Sequence, residues 1–208
     1  MYHTNYSFQS HAAPHTSRYI LNKLIPLLSP DRNKCILDLG CGNGYLVHHL
    51  LQLGYNVYGV DTSQSGINIA NEKSTGRFYF YDIDSLSIPE PLAQIPFDTV
   101  ISLEVIEHIY TPAHFVESCK MFLQQSVGQR HIYISTPYHG YLKNIVLAVA
   151  GAMDKHFTAL WDGGHIKFWS HSTITQLLQN HHCKVNKIIG CGRIPYLWKS
   201  MLVVAEVI

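Results

Sequence analysis

The stretch SLEVIEHI puts two carboxylates and an imidazole, Glu104, Glu107 and His108, close together in the chain. If the chain turns helical there, the three fall at i, i+3 and i+4 and share one face. Such a set suits two kinds of chemistry. It can hold a divalent cation, Mg²⁺ or Zn²⁺, which lowers the pKa of a substrate hydroxyl and fixes its oxygen. Without metal, His108 is a candidate general base with Glu107 beside it. A plainer reading also stands, in which acids at a helix start complement the macrodipole and the histidine packs. Spacing alone leaves all three open.

A second stretch, ILDLGCGNGYLVHHL, narrows the ligand. An apolar run ends in Asp38, just before Gly40, Gly42 and Gly44. Glycine admits positive φ and close approach of a ligand, so all three are expected to line a crevice at the carboxyl end of a strand. The dinucleotide fingerprint G-x-G-x-x-G fails, because the third glycine arrives one residue early and Tyr45 takes its place. No G-K-[ST] follows, so a P-loop fails too. Asp38 repels phosphate and suits a positively charged ligand. Asp61 follows about twenty residues after the loop, where an acid accepts both ribose hydroxyls. Asp82 is placed to accept from an adenine amino group, with Ile83 covering the base. Cys41, read as a small spacer, Thr62 and Leu103 complete the expected lining. An adenosine carrying a cation and no phosphate is S-adenosylmethionine, and that is the expected cofactor.

These residues need a scaffold whose strand ends converge. KCILDL, NVYGVD, RFYFYD, FDTVISL and HIYIST read as five buried strands. Helices are expected at 15–28, interrupted at Pro26, at 45–53, from an N-cap at Thr62 or Ser63, and from Pro112. Strands alternating with helices predict a doubly wound, mostly parallel sheet. After Pro137 the rhythm changes. A lid or substrate insert is expected at about 137–171, with a helix over 142–153 and the aromatic loop HFTALWDGGHIKFW. A helix over 172–180 and the strands CKVNKIIG and KSMLVVAEVI close the chain. Tyr138, His139, Phe157, Trp161, His165, Phe168 and Trp169 are candidates for an acceptor pocket, each as compatible with core packing.

LDLGCGNG, Asp61, YDID and FDTVISLEVIEHI together resemble the successive motifs of class I S-adenosylmethionine-dependent methyltransferases. The resemblance covers roughly residues 15 to 136 and continues more weakly beyond. It implies a seven-stranded, Rossmann-like α/β sheet with an antiparallel last strand, supplied by LVVAEVI. Glu-x-x-Glu-His further resembles the ubiquinone-biosynthesis O-methyltransferases, in which that set is associated with a divalent metal. His165 and Lys167 in GGHIKFW match those relatives' G-x-H-x-x-K-F element, with a spacing one residue shorter. Arg18 corresponds to an N-terminal cofactor arginine. The resemblance implies methyl transfer to a small-molecule acceptor at a hydroxyl oxygen, with His108, Glu107 and His165 catalytic and Glu104, Glu107 and His108 as metal ligands. The alternative is a non-catalytic S-adenosylmethionine-binding sensor or partner subunit.

Composition bounds the rest. The 208 residues suffice for one methyltransferase domain, with 47% apolar and 14% charged residues befitting a packed core. A net charge of +1 gives no field to recruit nucleic acid. Five cysteines without a C-x-x-C, and a polar start without an apolar leader, predict a reduced, cytoplasmic protein. The longest apolar run, IVLAVAGAM, is too short to span a bilayer. The 142–153 segment is expected as a buried lid helix, with peripheral membrane contact the other option.

Overall fold

All five residues of CILDL are buried, as a strand inside a sheet covered on both faces requires. The computed structural model describes residues 7–14, 16–157 and 159–208 and places this strand, β1 (Cys35–Leu39), in the interior of a sheet. The others are β2 (Asn56–Asp61), β3 (Phe78–Phe80), β4 (Phe97–Leu103), β5 (His131–Pro137), β6 (Cys183–Cys191) and β7 (Ser200–Val207). Their order is β3-β2-β1-β4-β5-β7-β6. β1 to β5 pair in parallel, whereas β7 runs antiparallel to both β5 and β6. This is the expected doubly wound seven-stranded sheet with its antiparallel last strand.

Alternation along the strands creates two cores. Leu37, Val100, Ile132 and Val203 point to one side, where Phe115, Phe122, Ile174 and Leu178 pack. Ile36, Ile101, Tyr133 and Leu202 point to the other, against Ile20, Leu24, Val47 and Leu50. α4 (Pro112–Phe122) and α7 (His171–Asn180) therefore cover the first face, while α1 (Ser17–Leu24), α2 (Tyr45–Gln52) and α3 (Gln64–Asn71) cover the second. α1 shows why. Ile20, Leu21 and Leu24 fall one turn apart and are all buried, worth roughly 1.5–3 kcal/mol each against exposure.

Local chemistry sets the element ends. α1 gives way to a 3₁₀ turn at Ile25–Leu27, with Pro26 inside it; the expected helix start at His15 lies outside the described residues. Ser63, not Thr62, caps α3, its hydroxyl accepting from the Gly66 amide at 3.2 Å. The single helix expected over 142–153 is two, α5 (Tyr141–Val149) and α6 (Met153–Phe157). Nor is α5 a buried lid helix. Leu142, Ile145, Val146 and Val149 are exposed and the buried residue is Lys143. The reason is partner supply: Lys143 donates to the Tyr138 carbonyl at 2.8 Å, which turns the apolar stripe at i, i+3, i+4 and i+7 to solvent. Among the described residues, no helix is long and apolar enough to cross a membrane.

Candidate active site

The sheet order reverses beside β1, where β2 departs to one side and β4 to the other, and a crevice opens there at the carboxyl ends. A cavity of about 750 Å³ occupies it. Asp38, Gly40, Cys41, Gly42, Asp61, Thr62, Asp82, Ile83 and Leu103 line its donor half. The glycine loop is pinned to β2 by the amides of Gly40 and Cys41, which donate to the Val60 carbonyl at 2.8 and 3.0 Å. Asp61 organises the loop as well as facing the cavity, since its carboxylate accepts from the amides of Gly42 at 2.8 Å and Ser63 at 2.7 Å. Asp82 caps the turn Ile83–Ser85, accepting from the Asp84 amide at 2.9 Å.

Two expected donor residues sit elsewhere. Arg18 is on the exposed side of α1, which turns Thr16, Ser17, Ile20 and Leu21 to the cavity instead. Gly44 does not line the crevice. It takes φ +76° at the start of α2, where a Cβ would lie 2.7 Å from Ala70 and 2.8 Å from the Phe78 ring. Its role is close packing of loop, helix and strand.

The donor half buries two neighbouring carboxyl groups. Asp38 is 3% exposed, and burial, then the neighbouring Asp61, raises its pKa well above the usual carboxylate range. Burial raises Asp61 as well, while the amides of Ser63, Gly42 and Thr62 pull it back. A cationic ligand relieves both.

At the other half, Glu104, Glu107 and His108 do not share a helix face. Glu104 has φ +57°, and only a 3₁₀ turn forms, at Ile106–His108. Glu104 is braced instead. Its carboxylate accepts from the hydroxyls of Ser135 at 2.8 Å and Ser200 at 3.1 Å, and its amide reaches the Ser135 carbonyl at 3.0 Å. Burial raises its pKa to about 7, against the pull of Ser135, Ser200 and Lys143. Glu107 points into the cavity with 1% exposure. Thr136 donates to its Oε2 at 3.1 Å, while its buried Oε1 has no hydrogen-bond partner. Burial and then Glu104 hold its pKa well above normal.

The 137–171 segment supplies what is missing. Ile166 and Lys167 donate their amides to the Glu107 carbonyl at 2.9 and 3.0 Å, which brings His165 Nε2 to 4.0 Å from Glu107 Oε1. The His108 and His165 rings lie 5.0 Å apart, and Trp161 stands 6.1 and 5.7 Å from them. His108 Nδ1 is 3.2 Å from the Gly164 carbonyl, which fixes that nitrogen as the donor and leaves Nε2 basic. Burial lowers the pKa of His108, and lowers His165 to about 4 with help from His108 and His156. Both are neutral imidazoles at physiological pH. Glu107, His108 and His165 offer ligand atoms within 4.8 Å of one another, whereas Glu104 is committed to its two serines. Of the other acceptor candidates, Trp161 lines this cavity; His139, Phe157 and Phe168 line a smaller one of about 400 Å³, and Tyr138 and Trp169 are core. Sequence reasoning missed Thr136 and the 7–14 segment, which also lines the donor half.

Residues 11–188 match the methyltransferase-domain family. The chain belongs to that family. Among its relatives, the ubiquinone biosynthesis O-methyltransferase of Ralstonia nicotianae is 31% identical over 126 residues, 60% of this chain and 51% of that protein. The protein of the same name from Bradyrhizobium diazoefficiens is 31% identical over 171 residues, 80% of this chain and 65% of the relative. The chain thus spans about half to two thirds of these relatives' length. In structure it is similar to magnesium protoporphyrin IX methyltransferase from Synechocystis PCC 6803, solved with bound SAH. The TM-score is 0.65 at 20% identity, covering 93% of this chain and 84% of that one. At that identity the likeness bears on the methyltransferase fold alone.

Proposed function

We propose that this chain transfers the methyl group of S-adenosylmethionine to a hydroxyl oxygen of a small-molecule acceptor. One observation carries the reading: a single cavity joins the buried acids Asp38 and Asp61 to Glu107, His108 and His165. Asp38 and the Gly40–Gly42 backbone would seat the methionine end, with its sulfonium charge. Asp61 would hold the ribose, and Asp82 with Ile83 the adenine. The methyl is already activated, so the protein must align the acceptor, take its proton and exclude water. His108 or His165 accepts the hydroxyl proton, the oxygen–methyl bond forms as the sulfur–methyl bond breaks, and S-adenosylhomocysteine leaves as a neutral thioether. Glu107 orients His165, and the imidazolium as it forms would favour the ionised form of this buried carboxyl.

The relatives' names support O-methylation, and the +1 net charge favours a small acceptor over nucleic acid. The exposed α5 stripe within the insert supports peripheral contact with a membrane or another apolar surface. A metal-assisted variant rests on the partnerless Glu107 Oε1 and the 4.8 Å cluster. Where a divalent ion binds, Glu107, His108 and His165 would hold it, and it would supply Lewis acidity toward the acceptor oxygen.

Calorimetry tests the donor half. S-adenosylmethionine and S-adenosylhomocysteine should bind, and NADH should not; binding of neither sulfur compound overturns the reading. Turnover with a panel of catechols, phenols and hydroxy acids then tests transfer. Donor binding without methylation of any of them would favour the sensor alternative. Chelation should abolish turnover if the metal variant holds and leave it unchanged if an imidazole alone takes the proton.

A further inference from the structure

The chain ahead of α1 crosses the donor half of the cavity. Phe8, Gln9, Ser10, Ala12 and Pro14 line it, on the same cavity as Asp38 and Asp61. Side chains seat this segment. The Asn43 amide donates to the carbonyls of Ser10 at 2.8 Å and Ala12 at 3.0 Å. The Phe8 amide donates to Ser65 Oγ at 3.1 Å. The Phe8 ring lies so close over Gly42 and Gly66 that a Cβ there would come within 2.6 and 3.0 Å of it. At the rim, His11 Nε2 stands 3.3 Å from Glu72.

Asn43 stands between Gly42 and Gly44 in the glycine loop and is 5% exposed. Its amide nitrogen serves the crossing segment. The acceptor half is covered by different chain, with Trp161 and His165 of the insert at that end. The cavity therefore has two covers with separate anchors.

We propose that residues 7–14 form the donor-side cover, latched by Asn43 and Phe8, and that its release, independent of the insert, admits the cofactor and discharges the product. This rests on the reading of the cavity as an S-adenosylmethionine site. The step is conformational, so its signature is a dissociation rate.

The test loads the full chain with radiolabelled S-adenosylhomocysteine and chases it with unlabelled compound. Asn43→Asp keeps the oxygen that accepts from the Tyr45 amide at 3.3 Å but loses both donations to the segment. Phe8→Ala removes the ring and changes no charge. Each should speed release about tenfold, the loss of one or two net hydrogen bonds or a modest apolar contact. Trp161→Ala, in the other cover, should leave release within about twofold. Unchanged release in both latch variants, or an equal acceleration by Trp161→Ala, overturns the latch. Failure of the wild-type chain to retain S-adenosylhomocysteine at all overturns the donor reading with it.

Discussion

Glu107 is the residue on which the acceptor half turns. Its backbone carbonyl anchors the insert, its Oε2 takes the Thr136 hydroxyl, and its partnerless Oε1 faces His165. Glu107→Gln keeps the size and removes the ionisable carboxyl. It should lower kcat about a hundredfold, the usual weight of acid–base assistance, while the calorimetric affinity for S-adenosylhomocysteine stays put. Equal loss of both would show that the glutamate serves the donor site or the fold. Glu104 should behave differently, because its partners are structural. Glu104→Ala leaves the hydroxyls of Ser135 and Ser200 without their acceptor and should cost about 1–3 kcal/mol of stability by denaturant titration with no effect on metal uptake. Sequence spacing made the two glutamates look equivalent. The left-handed turn at Glu104 separates them, and nothing in SLEVIEHI announces it, since glutamate has no special preference for positive φ.

At the scale of elements, the glycine loop and the strands were legible because each rests on a local rule. A short apolar run buried on both faces is a parallel strand whatever surrounds it, and an acid before closely spaced glycines marks a strand end. Gly44 shows where local rules stop. It was expected at the ligand, yet its φ of +76° and its neighbours Ala70 and Phe78 make it the pivot on which α2 packs against α3 and β3. Gly44→Ala should therefore destabilise the apo protein by about 3 kcal/mol, from left-handed strain and overpacking together. Thermal unfolding without ligand measures this; an unchanged midpoint would return Gly44 to a purely ligand-facing role. α5 failed for the converse reason. Its composition says buried, but a lysine that finds the nearby Tyr138 carbonyl reverses the face, and the apolar pattern of the helix does not announce that pairing.

For the whole molecule, the outstanding question is what keeps the insert in place over the sheet, since its helix faces solvent with apolar residues. His139 offers a measurable answer. It is 8% exposed, stacks on Phe157 and meets Phe168 edge-on, and its Nε2 has no hydrogen-bond partner. Burial first, then Lys143, His156 and His165, lowers its pKa from 6.5 to about 4. The folded insert thus refuses a proton that the unfolded segment accepts. Between these two values the unfolded state binds more protons, so the contribution of His139 is fully present above 6.5 and drains away as pH falls toward 4. Asp38, Glu104 and Glu107 act in the opposite sense, since their raised pKa values favour the folded state as pH falls. Global melting mixes the two trends, whereas hydrogen exchange read locally separates them. Amides of α5 and α6, corrected for intrinsic rates, should lose protection between about pH 7 and 5 while β1 and β4 hold theirs. His139→Phe keeps the stack and removes one of the insert's titrations, so protection should fall less steeply with pH, with His156 and His165 left to titrate. If the wild-type insert is equally protected at both ends of that range, some anchor other than this aromatic cluster holds the cover on the acceptor half.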